Sequence, residues 1–295
     1  MSEHIPVFCA TDENYAPFAS IMMKSILMHT NSFIDFYVMD DGIQTKTKKL
    51  IAKDLKKYPN KNLHFIDMSK YNLDQFPELR AWSVSMYSRY FITEIVPNLK
   101  KVIYLDVDII VKKDIAELYN IDMENYPIAA MSESYFFTPN MPKRLRKIWK
   151  DFTGEYFNSG VFVMDIPKLR KMDFVNKTIA LTQKLQNQLE FPDQDVVNIL
   201  FQNNIKRLDC SFNYFANMIP LRQPKNPNQP IEPKIIHYTN LKPWKNHTLF
   251  QQDFDDILKT SVFYKQIIKK YRSKKISKFY LFGFIPLFSH ITPQK

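Results

Sequence analysis

The sequence predicts an α/β domain, and three observations carry the prediction. Strand-like and helix-like segments alternate along most of the chain. The 295 residues are 45% apolar, enough to fill a sizeable core in one or two domains. No uninterrupted apolar run of about 18 residues occurs, so nothing is expected to span a bilayer.

Residues 5–10 read as a buried strand. Residues 15–29 follow as a helix that tolerates Pro17 in its first turn and gathers Phe18, Ile21, Met22 and Ile26 on one face. The next strand, 34–39, is stopped by Asp40, Asp41 and Gly42. Residues 45–57 pattern as a basic amphipathic helix and 62–66 as a third strand. A helix over 84–96 ends at Pro97, and 101–105 is a fourth strand running into Asp106. Residues 127–131 and 160–164 look like further strands. Residues 193–201 read as helical, with Asp193 near the start, and 234–237 as a short late strand. The stretch 220–233, rich in Pro, Asn and Gln, reads as a surface loop.

Composition narrows the chemistry. The chain has four glycines, Gly42, Gly154, Gly160 and Gly283, and no G-x-G-x-x-G turn or P-loop can be written from them. If the protein binds phosphates, a metal or basic side chains must therefore do the work. Cys9 and Cys210 make neither a disulfide framework nor a zinc site, and fit a reducing compartment. No signal peptide is apparent. The net charge of +11 favours an acidic partner: nucleic acid, an anionic membrane surface or a phosphorylated substrate.

The segment Lys101-Val-Ile-Tyr-Leu-Asp-Val-Asp108 is the centre of the chemistry. Alternate residues of an extended backbone share a face, so Asp106 and Asp108 can point the same way while Val107 packs opposite. Two hard carboxylates at the carboxyl end of a strand suit Mg²⁺ or Mn²⁺. Such ends are where open α/β sheets bind ligands. Asp-x-Asp also occurs at 193/195 and 253/255, but only Asp106 and Asp108 follow an apolar strand directly. The late segment Ile235-Ile236-His237-Tyr238 sets an imidazole at another strand end, fit to complete a metal site, with Lys242 a few residues on.

Taken together, these segments resemble glycosyltransferase family 8, close to the bacterial lipopolysaccharide galactosyl- and glucosyltransferases. The resemblance rests on Ala10-Thr11-Asp12-Glu13-Asn14-Tyr15, Tyr87-Ser88-Arg89, Tyr104-Leu105-Asp106-Val107-Asp108 and Tyr156-Phe157-Asn158-Ser159-Gly160-Val161. It continues through Pro192-Asp193-Gln194-Asp195, Phe212-Asn213, and His237-Tyr238 with Lys242-Pro243-Trp244, in the family's order over residues 5–258. It implies a GT-A fold with a central mixed sheet, a UDP-sugar donor (UDP-galactose or UDP-glucose), Mn²⁺ or Mg²⁺, a glycan or glycolipid acceptor, and retention of configuration.

By resemblance, Ala10, Thr11, Asp12, Glu13, Asn14 and Tyr15 belong to the nucleotide loop, Tyr15 stacking on uracil and Asp12 accepting the base N–H. Arg89 would face the diphosphate or sugar. Asp106, Asp108 and His237 would hold the metal, with Val107 between them. Asn158, Asp193 and Gln194 would line the sugar, and Asn240 and Lys242 the diphosphate. Retention usually employs a carboxylate behind the sugar. The resemblance points instead to Gln194 near the anomeric carbon and same-face attack, with Glu133 and Asp193 as carboxylate candidates. One departure stands out: Asn240 occupies a position where many relatives have glycine, in a loop one residue shorter.

The expected organisation is a catalytic domain over 1–258 and a basic, aromatic tail over 259–295. The tail has the composition of a membrane-surface anchor, which would make a cytoplasmic protein peripheral to the membrane. The alternative is that it packs on the domain. A second basic cluster, Lys143, Arg144, Arg146, Lys147 and Lys150, suits an acidic acceptor or a solvated helix face. Competing readings are a nucleic-acid binder, for which no module is recognisable, a glycogenin-like self-glucosylating primer, and an inactive family member.

Overall fold

The computed structural model describes residues 4–77, 83–136, 140–218 and 231–272. Seven strands make the main sheet: β1 (His4–Asp12), β2 (Phe33–Asp41), β3 (Lys61–Asp67), β4 (Lys101–Leu105), β6 (Ile128–Met131), β7 (Val161–Asp165) and β8 (Ile205–Leu208). Their order is β3-β2-β1-β4-β7-β6-β8. β7 runs antiparallel to both its neighbours, and the other pairs are parallel. A small second sheet has the order β5-β10-β9, built from β5 (Ile109–Val111), β9 (Tyr214–Phe215) and β10 (Ile235–His237).

Both faces of the main sheet are covered, which is why its central strands read as unbroken apolar runs. Along β1 and β4 the side chains alternate between two cores. Val7, Cys9, Ile103 and Leu105 join the core around helix Ala16–His29. Phe8, Val102 and Tyr104 join the core that also holds Tyr87, Tyr90 and Phe174.

The expected strands are all present to within two residues, and helices Ala16–His29, Thr45–Asp54 and Pro192–Leu200 stand where the patterning put them. The 84–96 helix differs. It is a 3₁₀ stretch, Val84–Phe91, followed by one α turn, Ile92–Ile95. Ser83 caps it, its side chain accepting from Ser85 N, and the aromatic residues Tyr87, Tyr90 and Phe91 favour packing over α geometry.

Packing continues beyond residue 258. Phe263 and Ile267 enter the core beside helix Ala16–His29. Asp54 ties the turn at 260–262 down: it pairs with buried Lys24 at 2.6 Å and accepts from Ser261 Oγ at 2.8 Å and Val262 N at 2.9 Å. The basic and aromatic part of the tail, 273–295, lies outside the described residues, as does most of the 220–233 loop.

Candidate active site

A cleft of about 730 Å³ opens beyond the ends of β1 and β4, against the ends of β7 and β10. β4 delivers Asp106 and Asp108 to it. The small sheet delivers the histidine: β5 pairs antiparallel with β10, His237 opposite Ile109, and Tyr238 N donates to Asp108 O at 2.9 Å. His237 Nε2 thereby lies 3.3 Å from Asp108 Oδ1 and 3.8 Å from Asp106 Oδ2.

Asp106, Asp108 and His237 form a three-ligand group whose donor atoms lie within 4.8 Å of one another. Ligands about 2.1 Å from one ion sit about 3 Å apart along an octahedral edge, so this set fits a hard divalent cation with little closure. The imidazole is already oriented. Its Nδ1 lies 2.8 Å from Asn213 Oδ1, an acceptor, which puts the proton on Nδ1 and leaves the Nε2 lone pair facing the carboxylates. Gly160 supplies the remaining room. A Cβ there would lie 2.3 Å from His237 Cε1 and 2.9 Å from Asp106 Oδ2.

Charge around the acids is balanced by two cations. Lys242 pairs with Asp108 Oδ2 and donates to Tyr238 O. Burial would lift the Asp108 pKa, but opposing charge, Lys242 foremost, holds the carboxyl well below its usual range. Arg89 lies over the Tyr104 ring, 4.3 Å from its centroid, with Nη2 2.9 Å from Asp106 Oδ1 and Nη1 3.0 Å from Asp193 Oδ2. It also donates to Ser159 O at 2.6 Å and Met86 O at 3.1 Å. Arg89 lines the cleft, and these contacts hold its guanidinium there. It is 4% exposed, stands in the cleft wall where the resemblance placed it, and also organises the acids.

The sugar-side residues form one buried network. Gln194 Oε1 accepts from Asn158 Nδ2 at 3.0 Å and Ser159 N at 3.0 Å, and Gln194 Nε2 donates to Glu133 Oε1 at 2.9 Å. Asn158 Nδ2 also reaches Glu133 Oε1 at 3.1 Å. Glu133, Asp193, Gln194 and Asn158 all line the cleft. Burial raises the Asp193 pKa against the pull of Arg89.

Burial lifts the Glu133 carboxyl from 4.5 to about 7, although Asn158 and Gln194 hydrogen bonds oppose the shift. A raised acid binds its proton more tightly in the folded protein, so stability is greatest at low pH and falls as pH rises from 4.5 through 7. The fall attributable to this group is about 3 kcal/mol. Glu133→Gln is expected to flatten that part of the stability–pH profile and to melt higher than the wild type at pH 8. Parallel profiles for the two proteins in thermal melts would refute it.

The nucleotide loop divides. Ala10, Thr11, Asp12 and Tyr15 line the cleft. Asp12 Oδ1 accepts from Tyr15 N at 2.9 Å, and Tyr15 lies edge-on to Trp244 with centroids 6.0 Å apart. Glu13 and Asn14 do not belong to the lining, a correction to the expectation that the whole run faces the nucleotide. Glu13 turns to the start of helix Thr45–Asp54, accepting from Gln44 N at 2.9 Å and Thr47 Oγ1 at 2.7 Å. Asn14 accepts from Lys270 Nζ at 3.3 Å. Val107, Asn240 and Lys242 line the cleft as well. Asn240 has φ +21°, the left-handed side of the map, which accounts for glycine being acceptable there.

Two participants carried no assigned role in the sequence. Tyr104 donates its hydroxyl to Asp106 Oδ1 at 3.0 Å; the two-residue spacing on a strand was the available signal. Asn213 holds His237, and its only signal was its place beside Phe212 in the resemblance.

The fold and the cleft are those of a GT-A glycosyltransferase. Residues 6–248 match glycosyl transferase family 8, and the chain belongs to that family. Glycosyltransferase GlyF of Streptococcus pneumoniae is 27% identical over 246 residues, covering 82% of this chain and 58% of that protein. Lipopolysaccharide 1,2-glucosyltransferase of Escherichia coli K12 is 27% identical over 262 residues, covering 84% and 75%. The galactosyltransferase LgtC, solved with donor and acceptor sugar analogs, superposes with a TM-score of 0.75 at 22% identity, covering 88% and 96%. Among the described residues no helix is long and apolar enough to cross a membrane.

Proposed function

We propose that this chain transfers a hexose, galactose or glucose, from a UDP-sugar to a glycan acceptor of the lipopolysaccharide or related cell-surface class, with retention of configuration. The observation that carries the reading is the convergence of Asp106, Asp108 and His237 on one cleft, beside the buried polar network of Glu133, Asn158 and Gln194. The names of the relatives support the reaction class, two of them acting on lipopolysaccharide or sugar acceptors.

In this reading Asp106, Asp108 and His237 hold Mn²⁺ or Mg²⁺, which when bound offsets charge on the departing diphosphate. The chain's own residues do the rest. Ala10, Thr11, Asp12 and Tyr15 hold uridine, Lys242 and Asn240 face the diphosphate, and Asn158 and Asp193 orient the sugar. Gln194 is fixed by its neighbours with its oxygen turned into the pocket network. It steadies the sugar while the acceptor attacks from the face that UDP leaves. Glu133 and Asp193 are the carboxylates that a double-displacement route would use instead, and a trapped glycosyl adduct on either would replace the same-face route. The test of the function is a screen of UDP-sugars for Mn²⁺-dependent UDP release. The reading holds if one UDP-hexose supports turnover that EDTA abolishes, and falls if none does.

The membrane-surface role of 273–295 rests on the sequence. Deleting those residues is expected to move the protein from the membrane to the supernatant fraction, and unchanged fractionation would count against it.

A further inference from the structure

The metal ligands and the sugar pocket are joined through one side chain. Asn213 is fully buried at the end of a 3₁₀ turn, Cys210–Asn213, whose start is capped by Asp209 accepting from Ser211 N at 2.9 Å. Directly after it, β9 pairs with β10, Phe215 opposite His237, and Ala216 N donates to His237 O at 2.9 Å. The backbone on both sides of the Asn213–His237 contact is thus fixed.

The hydrogen bonds through Asn213 run in one direction. His237 Nδ1–H donates to Asn213 Oδ1 at 2.8 Å, and Asn213 Nδ2 donates to Asn158 Oδ1 at 2.8 Å. Asn158 Nδ2 then donates to Gln194 Oε1 at 3.0 Å and Glu133 Oε1 at 3.1 Å. Asn158 Oδ1 also receives Gly160 N at 3.0 Å, so its amide cannot flip to present a donor there. Only a side chain with an acceptor and a donor on the same short stem completes this path.

We infer that Asn213 is a positioning residue that couples the metal site to the sugar pocket, an inference that rests on the reading of Asp106, Asp108 and His237 as the metal ligands. Through its oxygen it fixes the His237 tautomer and ring, and through its nitrogen it fixes Asn158 and hence Gln194. A cation that draws His237 into line steadies the same path from the other end, so metal and sugar each strengthen the binding of the other by an equal factor.

The coupling is tested by two substitutions that cut the path differently. Asn213→Leu removes both links and is expected to weaken Mn²⁺ binding about 10- to 100-fold, the usual effect of losing a partner of a metal-bound histidine. Asn213→Asp keeps the acceptor for His237 but turns an acceptor toward Asn158 Oδ1. It is expected to bind Mn²⁺ and Mn²⁺–UDP within a few-fold of wild type while losing about 10-fold in its preference for UDP-hexose over UDP. Calorimetric titration of Mn²⁺, UDP and UDP-hexose reads all three quantities. A purely structural role would move them together, and parallel losses in both variants would overturn the coupling. So would wild-type affinities in both. A wild type that binds neither Mn²⁺ nor UDP would instead remove the underlying reading of the site, and the coupling with it. Independently of how the variants fold, ¹⁵N NMR of histidine in the wild-type Mg²⁺ complex should show the His237 proton on Nδ1; a proton on Nε2 overturns the proposal.

Discussion

Gly160→Ala should abolish metal binding and turnover while the protein still folds. The glycine backbone runs directly beneath the ligand group, and Asp106 N donates to Gly160 O at 2.8 Å, which locks the two segments together. A methyl group there would stand 2.3 Å from His237 Cε1 and 2.9 Å from both His237 Nδ1 and Asp106 Oδ2. None of these neighbours can retreat cheaply. The ring is held by Asn213 and lies edge-on to Phe215, and Asp106 is held by Arg89 and Tyr104. Overpacking of this kind costs about 1–3 kcal/mol, small enough for the fold to survive. The displaced imidazole is what matters for function, and kcat/KM should fall by about 100-fold or more, since even losing a group that merely orients a metal ligand costs up to about that much. Gly42→Ala is the matched control. Gly42 has φ +80° and nothing within 4 Å of an added methyl, so the change should cost about 1–2 kcal/mol through backbone strain alone and leave Mn²⁺ affinity intact. Unaltered Mn²⁺ affinity in Gly160→Ala would show that the ligand group is not the metal site.

The parts of this arrangement differ in how far the sequence exposed them. Asp106 and Asp108 were visible because a continuous apolar strand ends on them, and a strand's period of two fixes which way alternate residues face. His237 was visible as an imidazole at a strand end. Its approach to Asp106 and Asp108 was expected from the resemblance and not from local pattern, because β5 and β10 are three residues each and carry no periodic signal. Glu13 and Asn14 were misplaced because the chain leaves the extended conformation at Asp12. In the turn that follows, successive side chains diverge by about 100°, so neighbours of cleft residues point elsewhere. Asn213 had only its place beside Phe212 to mark it, because a lone asparagine has no spacing rule, and its role is set by His237 of β10 and by Asn158 just ahead of β7. Arg89 was recognised as a site residue, but its ties to Asp106, Asp193 and the Ser159 carbonyl were not legible. A sequence shows a cation near acids, and only the fold shows which of its five donors remain.

The ties of Arg89 to the two acids carry the second large effect. Arg89→Met should destabilise the protein by about 3–5 kcal/mol, the usual cost of breaking a buried ion pair from one side. Methionine fills much of the same volume over Tyr104, so the loss reflects charge rather than a cavity. Asp106 and Asp193 would each lose their guanidinium partner, and Asp193 is the more deeply enclosed, at 6% exposed. Its carboxyl is already raised by burial, with Arg89 pulling it back down, so removing Arg89 lets it rise further. A group whose folded pKa is raised contributes most at low pH and loses that contribution as pH climbs, so the variant should be least impaired near pH 5 and most impaired near pH 8. Arg89→Lys should rescue little, because an ammonium cannot span Asp106, Asp193 and the Ser159 carbonyl together. Adding Asp193→Asn to Arg89→Met should restore part of the stability by removing the stranded charge, without restoring turnover. Thermal melts across this pH range read the cycle. Equal losses at pH 5 and pH 8, with no recovery in the double variant, would mean that Arg89 acts through packing and not as the counter-ion of the two acids.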